Sequence, residues 1–130
     1  MTPNPVLSDL PRSSAIGRLS YLGSATIPAG AALSPAIDKT GLAGGSIQLP
    51  TAWTAASLAF KVSNDGTAYV PLKDQLGNLV ELTGLPTAAG EGRSLPDDLW
   101  GFMSFKLWSE TSGSDTNQAA DRTFVLNLVG

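Results

Sequence analysis

The spacing of short apolar runs is the strongest constraint on the fold. From Ala15 onward these runs alternate with turn residues at intervals of roughly ten positions. Ser57–Ser63 is the clearest run, because Leu58, Phe60 and Val62 alternate with smaller or polar residues at the strand period of two. Amphipathic periodicity of helical length is missing. The pattern therefore favours a sandwich or barrel of antiparallel strands over βαβ units.

Seven or eight strands are expected, and their apolar faces all need to be buried. A chain of 130 residues has the length of one globular domain. Two packed antiparallel sheets would bury these faces together, whereas a single open sheet would leave one of them wet. We therefore predict an all-β, antiparallel β-sandwich domain over residues 21–130. The predicted strands are Arg18–Ile27, Gly45–Leu49, Ser57–Ser63, Thr67–Leu72, Leu79–Thr83, Phe102–Trp108 and Arg122–Leu128.

Turn residues separate the predicted strands. Ser63–Gly66 contains Asn, Asp and Gly, which tolerate the left-handed backbone of a tight hairpin, and Lys73–Asn78 forms a second turn. Tyr69, just after the first turn, is predicted to pack on the sheet. Trp53 lies in a loop of small residues before a strand, where a bulky ring is expected to plug one end of the sandwich.

The strand Phe102–Trp108 is predicted to have one apolar face and one mixed face. Met103, Phe105 and Leu107 are expected to point into the core, whereas Trp108 falls on the opposite face. Trp108 is therefore the aromatic ring that we expect to be exposed or to contact a partner.

Residues 1–20 are predicted to form an extended N-terminal arm. Pro3, Pro5 and Pro11 deny this segment a helix. A frayed terminus is one reading of the segment, since chain ends are loose unless they are tied down. An arm laid across a neighbouring subunit is the other, and its anchors would be Leu7, Leu10 and Ile16.

The residue types leave few routes to catalysis. The chain has no histidine and no cysteine, so the commonest general base, the thiol nucleophile and the commonest metal ligands are absent. Asp97 and Asp98 are the only adjacent acids, and their place after a proline suits a turn or a helix start. Asp115, Asn117 and Asp121 lack the spacing of a known calcium loop. We therefore expect no enzymatic activity, no cofactor and no metal.

The charge pattern points to protein partners. The net charge of −3 and the scattering of the eight Lys and Arg residues argue against nucleic-acid binding. Charged residues make up 15% of the chain, which is low for a globular protein and typical of surfaces that are covered by neighbours. The sequence shows no apolar stretch of membrane-spanning length and no signal-peptide pattern, so we expect a soluble protein made in a cytosol.

Two stretches of the sequence carry short motifs around the predicted strands. The first, at Leu49–Ser63 with Asp65–Thr67, combines a Pro-x-x-Trp-Thr-Ala-Ala entry, a strand ending in Ser and an Asp-Gly turn. The second, at Lys106–Ser109, Ser112–Gly113 and Asn117–Thr123, combines a Lys-x-x-Ser strand end, a Ser-Gly pair and a polar lead into the last strand. Together these motifs resemble those of small virion proteins of tailed phages that are encoded in the head gene cluster.

The resemblance implies a sandwich of jelly-roll type that acts as a capsid decoration (cement) protein. Its partners would be the major capsid protein or other virion proteins, and the chain would be a symmetric homo-oligomer, with a trimer favoured. It would be assembled in the host cytoplasm and located on the capsid surface. The alternative is a carbohydrate-binding module, or a component of a head spike, tail fibre or connector. A sugar site would use exposed rings among Trp53, Trp100 and Trp108.

Overall fold

The computed structural model describes residues 20–130, and within them the regular structure is almost entirely β. The all-β prediction is confirmed. Residues 1–19 of the predicted arm, including Leu7, Leu10 and Ile16, lie outside the described residues. The elements are β1 (Ser20–Ile27), β2 (Ile37–Asp38), β3 (Gly44–Gln48), β4 (Ser57–Ser63), β5 (Val70–Pro71), β6 (Glu81–Leu82), β7 (Gly92–Ser94), a 3₁₀ helix (Asp97–Gly101), β8 (Ser104–Thr111), β9 (Ser114–Asp115) and β10 (Arg122–Val129).

The strands form two antiparallel sheets. One has four strands in the order β1-β10-β3-β7. The other has six: the path β2-β8-β4-β5, with β6 also paired to β4 and β9 to β8. The two longest pairings join β1 to β10 over eight residue pairs and β4 to β8 over seven. Most pairing is therefore between strands that are distant in sequence.

Side chains from both sheets form one apolar core. Phe124, Leu126 and Leu128 project inward from β10 and are fully buried. They belong to the same cluster as Phe60 of β4 and Phe105 of β8, whose rings meet edge to face at 6.1 Å. Burial of each such side chain stabilises the fold by about 1.5–3 kcal/mol.

Trp53 is buried, as predicted, with only 4% of its surface exposed. Its ring meets Phe124 edge to face at 5.6 Å. The indole Nε1 donates a hydrogen bond to the carbonyl oxygen of Ala56 at 3.0 Å, so the polar atom of the ring is also satisfied.

The turn after β4 is held by one aspartate. Asp65 Oδ1 accepts hydrogen bonds from the backbone N–H groups of Thr67 and Ala68 and from the Ser63 hydroxyl. These bonds stabilise the carboxylate and hold the pKa of Asp65 below its usual value. Because the turn uses residues up to Ala68, the returning strand β5 is much shorter than the predicted Thr67–Leu72.

The predicted strand Phe102–Trp108 is displaced in the structure, where β8 spans Ser104–Thr111. The 3₁₀ helix just before it ends with a hydrogen bond from Phe102 N–H to Leu99 O, so Phe102 and Met103 precede the strand. Phe105 and Leu107 are buried in the core as predicted. The core position predicted for Met103 is wrong, since 37% of its surface is exposed.

Candidate functional site

The outward face of the four-stranded sheet carries no charged side chain. Successive residues of a strand point to opposite faces, so the outward positions alternate with the buried core residues. We call this surface the neutral face. Its residues are Ser20, Leu22, Ser24 and Thr26 of β1; Thr123, Val125, Asn127 and Val129 of β10; Gly44, Ser46 and Gln48 of β3; and Gly92 and Ser94 of β7.

The neutral face mixes small polar side chains with exposed aliphatic ones. Leu22 is 76% exposed and Val125 is 42% exposed. Thr26 and Thr123 lie opposite each other, and their hydroxyls are joined by a hydrogen bond of 2.9 Å. The desolvation free energy is small when a partner covers a surface of this composition, because no charged group has to lose its hydration water.

The outward face of the other sheet is different in character. Lys61 of β4 and Lys106 of β8 are paired there, and Glu110 lies on the same side of β8. Lys106 reaches over the ring of Tyr69, with its Nζ 4.6 Å from the ring centroid. The lack of charge is thus a property of one sheet face and does not extend over the whole described surface.

Trp108 points away from the main core, but its predicted exposure is wrong. The side chain is only 3% exposed. It packs with Ala32 and Ala59, and with the half-buried Leu33 and Leu79, in a second apolar cluster. A ring that is covered by the chain's own loops has little surface left for a partner.

The polar contacts of Trp108 also fix it in place. Its indole Nε1 donates to Asp115 Oδ1 at 2.7 Å. The ammonium group of Lys61 lies 4.7 Å from the ring centroid, within the range of a cation–π interaction. These contacts hold Trp108 in place on the outward side of the sheet, beneath the loops that cover it, and its role is to stabilise the fold.

A pair of glutamates lies beside Trp108. The Glu110 side chain is fully buried; Oε1 accepts a hydrogen bond from Gly113 N–H at 2.8 Å, and Oε2 has no donor among the described residues. Burial and the neighbouring Glu81 carboxyl both raise the pKa of Glu110, and the Gly113 hydrogen bond only partly offsets them. A proton on one of the two carboxyls would let them share a hydrogen bond.

A cleft of about 420 Å³ opens next to this pair. Glu81 and Trp108 form part of its wall. The turn residues Lys73 and Asn78 line it too, as does Gly113 of the turn between β8 and β9. The cleft therefore combines a largely covered indole with groups of both charge signs.

The other acidic residues do not build a metal site. Asp115 accepts a hydrogen bond from Trp108, and Asp121 Oδ1 accepts one from Ala29 N–H at 2.8 Å. Within residues 20–130, no three or more Asp or Glu side chains come together as potential ligands. Asp97 and Asp98 are exposed in the first turn of the 3₁₀ helix, as their place after a proline predicts.

Sequence reasoning missed the neutral face because the face depends on strand order. Thr123, Val125 and Asn127 could be read as outward from the alternation in the last strand. Only the pairing of β10 with β1 and β3 brings the other uncharged positions alongside them.

Comparisons with protein families, with curated proteins and with solved structures found no match to this chain. In the part of the chain that the structure describes, no helix is long and apolar enough to cross a membrane.

Proposed function

We propose that this chain is a structural virion protein, a capsid decoration (cement) protein that docks on the major capsid protein lattice through its neutral face. The observation that carries the proposal is the absence of charge across all four strands of that face, together with the exposure of Leu22 and Val125. Many copies bound in parallel stabilise a shell even when each contact is modest.

We also infer that the two sheets form a β-sandwich of jelly-roll type. Leaving β6 and β9 aside, the strands pair in a nested series: β1 with β10, β2 with β8, β3 with β7 and β4 with β5. These pairs alternate between the two sheets. A long hairpin that wraps into two sheets gives this order, which supports the jelly-roll assignment.

The carbohydrate-binding alternative has less support. Stacking of a sugar requires exposed aromatic rings, but Trp53 and Trp108 are 4% and 3% exposed and Trp100 is half-buried beneath Lys39. Docking on a spike, fibre or connector instead of the shell would use the same surface, and imaging distinguishes these locations.

The first test is to mix the purified protein with phage capsids that lack it and to image the particles by electron cryomicroscopy. Density at regular lattice positions, with the four-stranded sheet against the shell, is the expected result. Density only at a vertex or tail would show that the protein belongs to a connector, spike or fibre and does not decorate the shell.

A matched pair of variants tests the docking surface. Val125→Lys places a charge in the middle of the neutral face, whereas Val70→Lys makes the same change at a 56% exposed valine of β5 in the other sheet. Burying an unpaired ammonium group is costly, so we expect Val125→Lys to weaken capsid binding at least about tenfold. Val70→Lys should bind like the wild type. Equal binding by both variants would exclude the neutral face as the docking surface.

A further inference from the structure

β1 differs from every other strand that lies at an edge of a sheet. It borders the four-stranded sheet and is eight residues long. Among the described residues, the other edge strands are β7 with three residues and β2, β5, β6 and β9 with two each. Short edge strands are one way in which proteins avoid pairing with other chains. β1 lacks this protection.

The sequence of β1 also lacks the charged residues and the proline that protect edge strands in other proteins. Ser20–Ile27 contains no charged residue and no proline, whereas the edge strand β5 contains Pro71. On one side β1 is hydrogen-bonded to β10. Alternate residues of an antiparallel strand direct their N–H and C=O groups away from that neighbour. Within residues 20–130, no backbone group bonds to this second side.

In the part of the chain that the structure describes, a groove of about 420 Å³ runs along the second side of β1. It is bounded by Tyr21 and Ser24–Thr26 of β1 and by Pro35–Asp38 at the edge of the other sheet. An extended strand in this groove would form backbone hydrogen bonds with β1. The side chains that line the groove are uncharged except for Asp38.

A second copy of β1 is the best-matched occupant that the described chain offers. Any other edge strand would leave most of the eight residues without a partner, whereas two β1 strands match in length. Antiparallel pairing about a two-fold axis is self-complementary. Two uncharged strands also meet without repulsion.

The alternation of side chains limits the register. Directly paired residues lie on the same face of a sheet, so a symmetric pair must be centred on a residue. Overlap over most of the strand then places the axis at Gly23 or Ser24, in the middle of β1. These are small residues, so two strands can approach there without a steric clash between bulky side chains.

We propose that two copies of this chain pair antiparallel through β1, which joins their four-stranded sheets into one continuous sheet of eight strands. The two neutral faces then lie side by side on the same surface. The result is a two-fold dimer and not the trimer that the sequence resemblance favours. The pairing does not depend on capsid docking, and the tests below use the purified protein alone.

Cross-linking gives a positive readout, because the chain has no native cysteine. Ser24→Cys places a thiol beside the proposed axis. Ser46→Cys is the control, because Ser46 is exposed on the same face but belongs to β3, two strands away. In the dimer the two Ser46 positions are separated by five strand spacings, about 24 Å. A short bismaleimide should link Ser24→Cys into a dimer and leave Ser46→Cys unlinked. Equal linking of both variants, or of neither, would overturn the pairing.

Light scattering and sedimentation velocity on the full chain test the assembly itself. The wild type should show twice the 13.4 kDa mass of the chain. Ser24→Lys brings two like charges together at the axis and should weaken dimerisation at least about tenfold, whereas Ser46→Lys should leave it unchanged. A monomer at all concentrations, or a trimer, would contradict the proposal. So would a dimer that forms only after removal of residues 1–19, because that result would show that the chain's own N-terminal segment occupies β1.

Discussion

Gln118 and Thr54 exchange two hydrogen bonds although they are 64 positions apart in the sequence. Thr54 N–H donates to Gln118 Oε1 at 2.8 Å, and Gln118 Nε2 donates to the carbonyl oxygen of Thr54 at 3.1 Å. Nε2 also donates to the Ser109 hydroxyl at 2.8 Å, and Oε1 accepts from Arg122 Nε at 3.1 Å. The buried amide thus acts like a peptide group that ties the loop before β4 to β8 and β10.

Gln118→Leu should destabilise the protein by about 2 kcal/mol or more, because it keeps most of the side-chain volume but leaves buried donors and acceptors unpaired. Urea unfolding followed by tryptophan fluorescence measures the change in free energy. Gln75→Leu, at an exposed glutamine in the turn after β5, is the control and should change stability by less than about 0.5 kcal/mol. Similar small effects of both substitutions would mean that the Gln118 contacts contribute little.

Glu110→Gln should make the protein more stable at neutral pH. The folded-state pKa of Glu110 lies above its usual value of 4.5, chiefly through burial and then through Glu81, so this group contributes its full stability below pH 4.5. That contribution is lost as the pH rises through the raised pKa, where an uncompensated carboxylate must remain buried. Glutamine stays neutral and can still accept from Gly113 N–H.

The measurement for Glu110 is the free energy of unfolding between pH 4 and pH 8. The wild type should lose stability over the window above pH 4.5, and Glu110→Gln should lose less. Gln75→Leu, at an exposed residue that carries no charge, is the control and should follow the shape of the wild-type curve. A Glu110→Gln curve parallel to the wild type would show that the carboxyl is ionised at no cost in the folded state.

Trp108→Ala tests whether this ring is buried or exposed. Removal of a buried tryptophan costs about 3–5 kcal/mol through lost packing and cavity formation, whereas an exposed ring costs far less. We expect a loss of about 3 kcal/mol, since Trp108 also loses its bond to Asp115. Leu76→Ala, at a leucine that is 86% exposed, should be nearly neutral. A neutral Trp108→Ala would restore the sequence-based expectation of an exposed contact residue.

Substitution by alanine should destabilise the protein at one glycine of the four-stranded sheet, Gly45, and be tolerated at another, Gly92. A Cβ atom at Gly45 would lie 2.5 Å from the Asn127 carbonyl oxygen and 2.9 Å from Leu128 Cδ2, so β3 or β10 must shift. A Cβ atom at Gly92 meets nothing within 4 Å. We expect Gly45→Ala to cost about 1–3 kcal/mol in thermal or urea unfolding. Gly92→Ala should be neutral or slightly stabilising. A harmless Gly45→Ala would contradict the close packing of β3 on β10.

The strands could be predicted where large apolar residues alternate with small or polar ones in the sequence. Ser57–Ser63 has the predicted bounds, and the last strand differs by one residue, because alternation is strong in both. The strand containing Trp108 begins two residues later than predicted, because Phe102 caps the 3₁₀ helix that precedes it. Alternation alone does not show where a preceding turn ends.

The surroundings of Trp108 and Glu110 could not be predicted from local sequence. Both lie on the outward side of β8, where the period of two predicts solvent. Ala32, Leu33 and Leu79 cover the indole, and they come from loops far away in the chain. The neutral face escaped prediction for the same reason, since it is assembled from four strands that only the sheet order brings together.

The position of β10 has a consequence for synthesis of the chain. Ser20 pairs with Val129, and β3 also pairs with β10, so both strands depend on a segment made roughly a hundred residues after β1. Loop closure over such a distance delays pairing. Until the ribosome has added the residues between β1 and β10, β1 of the nascent chain has no β10 to pair with. Chaperones that shield uncharged strands are therefore expected to act on this protein before residues 122–129 emerge from the exit tunnel.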